Sequence, residues 1–227
     1  MNTFLWKQVR QDVVSGKTGD LHVQCHPLQG LELQAGSLHV PSLLGLEIVD
    51  AVDLGPQALA SPGTVPDMVI RQDTVMVQYA PTTKRPVECQ ARWRVLGEGI
   101  LDLEVSTLTP GKWDGLAVQT RTRFNVTKPA EEVHLEQSVT PGIVIYRPLG
   151  QQLSYVEFCH PHDGIGLEVK HDNAGYTVRY RLFGLDLEKG VILRGRLRGL
   201  LVPRAVDVAA AHAAYERFIM EAPNLTL

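Results

Sequence analysis

The densest run of chemically versatile side chains is Cys159-His160-Pro161-His162-Asp163-Gly164. Imidazole titrates closest to neutrality, so His160 or His162 could serve as a general acid. The same nitrogens could hold a metal, with Cys159 or the Cys25-His26 pair adding ligands, but the spacing matches no standard zinc pattern. A plain polar turn is the third reading, and no metal is assigned. Gly16-Lys17-Thr18 lacks the upstream glycine of a phosphate loop and reads as a polar turn.

Arginine makes a second pattern, outnumbering lysine 15 to 7. Arg92 and Arg94 are two apart, as are Arg121 and Arg123, and Arg179 and Arg181; Arg194, Arg196 and Arg198 make a triple. Two-residue spacing sends side chains to one face of a strand. Ala91, Trp93 and Val95, Val118 to Phe124 in alternation, Val178 and Tyr180, and Leu193 and Leu197 then fall on the opposite, core-facing side. Asp102 and Glu104 alternate with Leu101, Leu103 and Val105, and would face the arginines if Pro86–Leu96 and Ile100–Leu108 form a hairpin. Such a face is either a solvated surface of cross-strand ion pairs or a site for an anionic or polyhydroxyl ligand, since the guanidinium fork suits carboxylate, sulfate and phosphate. Arg71, beyond Pro66, and Trp113, after the Thr109-Pro110-Gly111 turn, are further candidates, the tryptophan by stacking or by packing.

The elements that must position these groups are strands. Short alternating apolar and polar runs are separated by Gly, Pro, Asp and Asn clusters, the signature of a sandwich or barrel. The runs that carry the chemistry are Pro86–Leu96, Ile100–Leu108, Leu116–Phe124, Ser154–His160, Gly164–His171, Tyr176–Phe183 and Val191–Leu201. Gly97-Glu98-Gly99 and Asp172-Asn173-Ala174-Gly175 read as hairpin turns. One helix is expected over Val208–Met220, capped by Asp207 and stopped by Pro223, with Ala210, Ala214, Tyr215 and Phe218 on its apolar stripe. Thr3–Val14 fits either a strand or a short helix.

The chain has 227 residues, 44% hydrophobic and 21% charged, with a net charge of −3. That charge gives no reason to expect nucleic acid. No apolar run of transmembrane length and no signal-peptide core is present, so no membrane partner is expected. Three cysteines fit reduced thiols in the cytoplasm better than a disulfide framework. No linker or repeat divides the chain, so residues 1–227 are read as one domain, mainly β, a large antiparallel sandwich with a C-terminal helix.

Two stretches carry a family resemblance. Val87–Trp113, VECQARWRVLGEGILDLEVSTLTPGKW, is similar to the central hairpin of the galactose-mutarotase-like superfamily, and Leu185–Pro203, LDLEKGVILRGRLRGLLVP, to its last strand. The resemblance spans roughly Leu31 to Pro203. It implies a twisted sandwich with a sugar-binding concave face, and enzymes that interconvert sugar anomers with a carboxylate base and a histidine acid, without a cofactor. On that basis His160 or His162 is the acid and Glu157 or Glu168 the base. Arg71, Arg92, Arg94, Trp113, Arg121, Arg123, Arg179 and Arg181 would hold a small carbohydrate, an acidic sugar included. The family's Asn-His and His-x-Tyr-x-Asn segments have no equivalent here. The alternative to an aldose epimerase is a non-catalytic ligand-binding or assembly module on the same fold.

Overall fold

A computed structural model of the chain describes residues 4–49, 56–58, 66–81, 87–97, 99–109, 111–125, 132–137, 139 and 141–222; for 48–49, 56–58, 113–117, 132 and 184–187 it describes the backbone alone. The strands in chain order are β1 (Trp6–Arg10), β2 (Val13–Thr18), β3 (Leu21–His26), β4 (Gly30–Ala35), β5 (Leu38–Val49), β6 (Pro56–Ala58), β7 (Asp67–Arg71), β8 (Thr74–Tyr79) and β9 (Glu88–Leu96). They continue as β10 (Ile100–Leu108), β11 (Trp113–Asn125), β12 (Glu132–Glu136), β13 (Ile143–Arg147), β14 (Leu153–Cys159), β15 (Gly164–Asp172), β16 (Gly175–Leu187) and β17 (Ile192–Pro203). A single 3-10 turn then leads into helix α1 (Asp207–Met220).

The strands form two sheets. The first runs β1-β2-β3-β4-β5-β11-β16-β15, with β6 beside β5; the second runs β12-β13-β14-β17-β10-β9-β8-β7. Every pairing described is antiparallel, so the alternation in the sequence becomes one inward and one outward face per sheet. Trp93, Val95, Leu101, Leu103, Val105 and Tyr155 from the second sheet meet Leu31, Leu33, Leu43, Val118, Phe124, Val178 and Tyr180 from the first in one buried core. Cys25, Cys89 and Cys159 are all buried there, with no disulfide between them. The segment from Thr3 to Val14 contains β1 and the start of β2. Gly16-Lys17-Thr18 is the end of β2, which corrects its reading as a turn.

β13 and β14 are apolar on both faces, and this explains the helix. Ile143, Ile145, Val156, Phe158, Leu200 and Val202 point away from the main core and are covered by Ala211, Ala214, Tyr215 and Phe218 of α1. The helix falls where the sequence predicts it, but Asp207 is not its cap. Val206 holds the cap position and no side chain caps it. The Asp207 carboxylate instead accepts two hydrogen bonds from Arg147, at 2.8 and 2.9 Å, and one from Ser154 at 2.8 Å. That clamp, above all the Arg147 guanidinium, holds Asp207 below the usual carboxylate pKa and ties the start of α1 to β13 and β14.

β5 carries the irregularity that matters for the site. Its register with β11 breaks between Arg121 and Arg123, and Leu44 has φ 50°, unfavourable for a branched side chain. Its backbone groups are satisfied outside the ladder. The Leu44 N–H donates to Thr122 Oγ1 at 3.0 Å, and its carbonyl accepts from Trp93 Nε1 at 3.0 Å. Past this bulge the strand resumes, with Gly45 opposite Arg121 and Glu47 opposite Gln119.

Candidate functional site

Two outer faces and one buried carboxylate hold most of the residues singled out by sequence. On the first sheet the outward positions form a grid fixed by register. Glu47, Gln119 and Arg181 share one row. Arg121 lies two residues along β11 from Gln119, and Arg179, two residues along β16 from Arg181, faces Glu168 on β15. Arg123 faces Thr177, which faces Lys170. Glu47 is only 6% exposed because three donors cover its carboxylate: Arg121 at 2.8 Å, Gln119 at 3.0 Å and Arg179 at 3.1 Å. Arg179 also reaches Glu168 at 3.6 Å, and Glu168 pairs with Lys170 at 2.9 Å. Arg123 and Arg181 are exposed, and among the described residues neither has an ion-pair partner. A Cβ built on Gly166, beside Arg181 in register, would meet open space. These rows carry five cations (Lys170 and four arginines) against the two carboxylates Glu47 and Glu168.

The second sheet's outer face shows the same arginine spacing with the charges matched. β9 and β10 form the expected hairpin, with Arg94 opposite Asp102 and Arg92 opposite Glu104. On the far side of β10, Arg198 faces Asp102 and Arg196 faces Glu104. Arg92 meets Glu104 at 2.5 Å and Arg94 meets Asp102 at 3.4 Å. Arg198 is buried between Asp102, at 2.7 and 2.9 Å, and Glu221, at 2.7 and 2.8 Å, with its guanidinium 4.7 Å from the centre of the Phe218 ring. Arg196 bonds Asp163 at 3.4 Å. A shallow groove of about 390 Å³, counting its open mouth, lies between this ladder and the end of α1.

His160 belongs to this second face. It is 5% exposed, edge-on to Phe218 with ring centres 5.7 Å apart, and 3.8 Å from Asp163. Burial first, and then the Arg196 charge, lowers its pKa, against the pull of Asp163. His162 is exposed in the adjoining turn. Glu168 lies across the molecule, outward on β15. Glu157 lies between the sheets, fully buried, its Oε2 accepting from Thr122 at 2.6 Å and from Tyr155 at 2.9 Å. Its Oε1 has no partner among the described residues. Burial pushes the carboxyl up to about 7, and the two hydroxyl donors pull only partly the other way. The Tyr180 hydroxyl donates to the Glu157 carbonyl at 2.8 Å, so this group fastens one sheet to the other. Gly199 makes room for it, because a Cβ there would collide with the Tyr155 hydroxyl.

The four residues read as acid and base therefore occupy three separate environments. The arginines divide between two faces, with Arg121, Arg123, Arg179 and Arg181 on the first sheet and Arg92 and Arg94 on the second. Arg71 ends β7 at the margin of the second sheet, next to the β7–β8 turn, away from either group. Trp113 begins β11, but its side chain lies outside the described residues. Among the described residues, no three His, Cys, Asp or Glu side chains are grouped to hold a metal, and no helix is long and apolar enough to cross a membrane. Glu47 and Gln119 are the site residues that sequence reasoning misses. Glu47 sits in a short alternating run, Leu46-Glu47-Ile48, beyond Pro41 and Gly45 on β5.

No protein-family model matches the chain, and no curated protein matches its sequence. Solved structures do match its architecture. An aldose 1-epimerase candidate from Klebsiella pneumoniae superposes with a TM-score of 0.61 at 9% identity, over 95% of this chain and 87% of that one. Galactose 1-epimerase from Lactobacillus acidophilus gives 0.56 at 8% identity, over 88% of this chain and 98% of that one. Heparinase III gives 0.56 at 9% identity over 90% of this chain, but only 36% of the heparinase. The fold is thus an antiparallel sandwich of the type found in carbohydrate-active proteins. More narrowly, the architecture is that of the galactose-mutarotase-like sandwich, shared with these epimerases at only 8–9% sequence identity.

Proposed function

We propose that the chain is a carbohydrate-binding module that holds an acidic sugar on the outer face of the first sheet, without anomeric catalysis. The observation that carries this reading is the charge imbalance of three rows of that face, where Arg123 and Arg181 stand exposed beside a fixed Glu47–Arg121–Arg179 cluster. Guanidinium forks recognise carboxylate and phosphate in two-point fashion, while Gln119 offers a partly exposed polar amide in the Arg181 row. Proton transfer across a sugar needs an acid and a base within hydrogen-bond reach of one ring. His160 and Glu168 on different sheets, with Glu157 sealed between them, argue against that chemistry. One domain in a reducing cytoplasm belongs to the same proposal, supported by the core shared between the sheets and by three buried thiols.

The test is saturation-transfer NMR with glucuronate and glucose, alongside polarimetry of both. Contact with glucuronate that is lost in the double variant Arg123→Gln/Arg181→Gln, with no faster anomer exchange, is the expected result. Accelerated exchange that disappears in Glu168→Ala would replace the module with an epimerase. No contact with any acidic sugar would overturn the reading.

A further inference from the structure

Resting on that reading, we infer that the ligand of the first sheet's outer face is an acidic oligosaccharide whose charged residues are separated by a neutral one, not a single acidic sugar. Arg181 lies in register with Gln119, and Arg123 lies four residues further along β11. At about 3.3 Å per residue the two rows are roughly 13 Å apart. One carboxylate could join both arginines only by drawing them to the middle of the face. The middle is already occupied. Arg121 and Arg179 are tied to Glu47 at 2.8 and 3.1 Å, and Arg179 is shared with Glu168 at 3.6 Å. An anion placed there would meet two carboxylates before it met a free cation.

The face therefore has two cationic ends and a neutralised centre. At one end, Arg181 stands beside the open space over Gly166. At the other, Arg123 stands in line with Thr177 and Lys170. By register Gln119 and Glu47 stand in the Arg181 row. The centre is the next row, where the exposed Glu168 carboxylate beside Arg179 accepts hydrogen bonds from sugar hydroxyls and the Glu47 carboxylate is already covered by Arg121 and Arg179. A chain with an acid group, a neutral ring and a second acid group matches that order. A monosaccharide can satisfy one end only.

The experiment is isothermal titration of the full chain with a hyaluronan tetrasaccharide, which alternates glucuronate and N-acetylglucosamine, with glucuronate and chitotetraose as comparators. The tetrasaccharide is expected to bind at least about tenfold more tightly than glucuronate, and chitotetraose weakly or not at all. Arg123→Gln and Arg181→Gln should each bring tetrasaccharide affinity down to that of glucuronate, while changing glucuronate affinity about twofold at most. Both side chains are exposed, and an unchanged urea midpoint verifies folding. Arg92→Gln, on the opposite face, should change neither affinity. Glucuronate binding without any gain for the tetrasaccharide, or a gain insensitive to both arginines, overturns the oligosaccharide inference and leaves the acidic-sugar reading standing. Failure of both acidic ligands to bind overturns the two together.

Discussion

The outer faces of the two sheets use the same sequence device, arginine at every second residue, and spend its charge differently. On the second sheet, Arg92, Arg94, Arg196 and Arg198 are each opposite or beside an acid, and Arg198 has two. α1 then covers the neighbouring strands, so that face is largely self-satisfied. On the first sheet, Glu47 neutralises Arg121 and Arg179, and two further arginines are left facing solvent. Spacing alone cannot tell a structural arginine from a ligand-seeking one. The partner set decides, and partners come from strands distant in sequence.

The largest expected effect tests the structural face. Arg198→Met leaves Asp102 and Glu221 without their shared cation and should lower unfolding free energy by about 3–5 kcal/mol, read by urea denaturation, with sugar binding on the first sheet intact. A loss below about 1 kcal/mol would mean that this ladder is as solvated as an ordinary surface.

Next is Glu157, between the two faces. Its carboxyl lies at about 7 in the folded chain against 4.5 ordinarily, so the folded state holds the proton more tightly. The stability this contributes is fully present below about pH 4.5 and is lost as pH rises through 7. At 1.36 kcal/mol per unit it amounts to roughly 3 kcal/mol. Urea midpoints of wild type and Glu157→Gln from pH 4 to 8 measure it. The wild-type curve should fall relative to the variant across that window, and parallel curves would refute the assignment.

Glu47→Gln sharpens the contrast from the other side. It removes the anion from the Arg121–Arg179 clamp and should cost about 1–3 kcal/mol of stability. It should also tighten glucuronate binding by freeing two cations, a combination that calorimetry and urea unfolding can detect together. If affinity falls instead, Glu47 itself contacts the ligand. The smallest effect is expected for Glu104→Gln, whose partly exposed pair with Arg92 should be worth under about 1 kcal/mol, with no change in binding.

Much of the scaffold is legible in the sequence, because alternation is a local signal. The β9–β10 hairpin, the inward phase of Trp93, Phe124 and Tyr180, and the span of α1 all follow from residues near one another. β5 runs on through Pro41 and Gly45, with no local signal for it, because Thr122 and Trp93 satisfy the backbone of Leu44. The site is less legible for a related reason. Arg121 and Arg179 are 74 and 132 residues from Glu47, and no local pattern joins them. Glu157 is in phase with Tyr155 and Cys159, which already points it inward. His160 is one residue out of phase, and only the docked helix shows which side it meets.

The covering of β13, β14 and β17 by α1 has a consequence for how the protein is made. The helix follows all the described strands in the chain, so a growing polypeptide completes the second sheet before its cover exists. At about 5–20 residues per second, Val202 is made about one to four seconds before the end of α1, and Ile143 about four to fifteen seconds before it. That interval is when a nascent chain is most prone to stick to its neighbours. A chain cut after Pro203 would keep every described strand and leave the apolar stripe of those three strands bare.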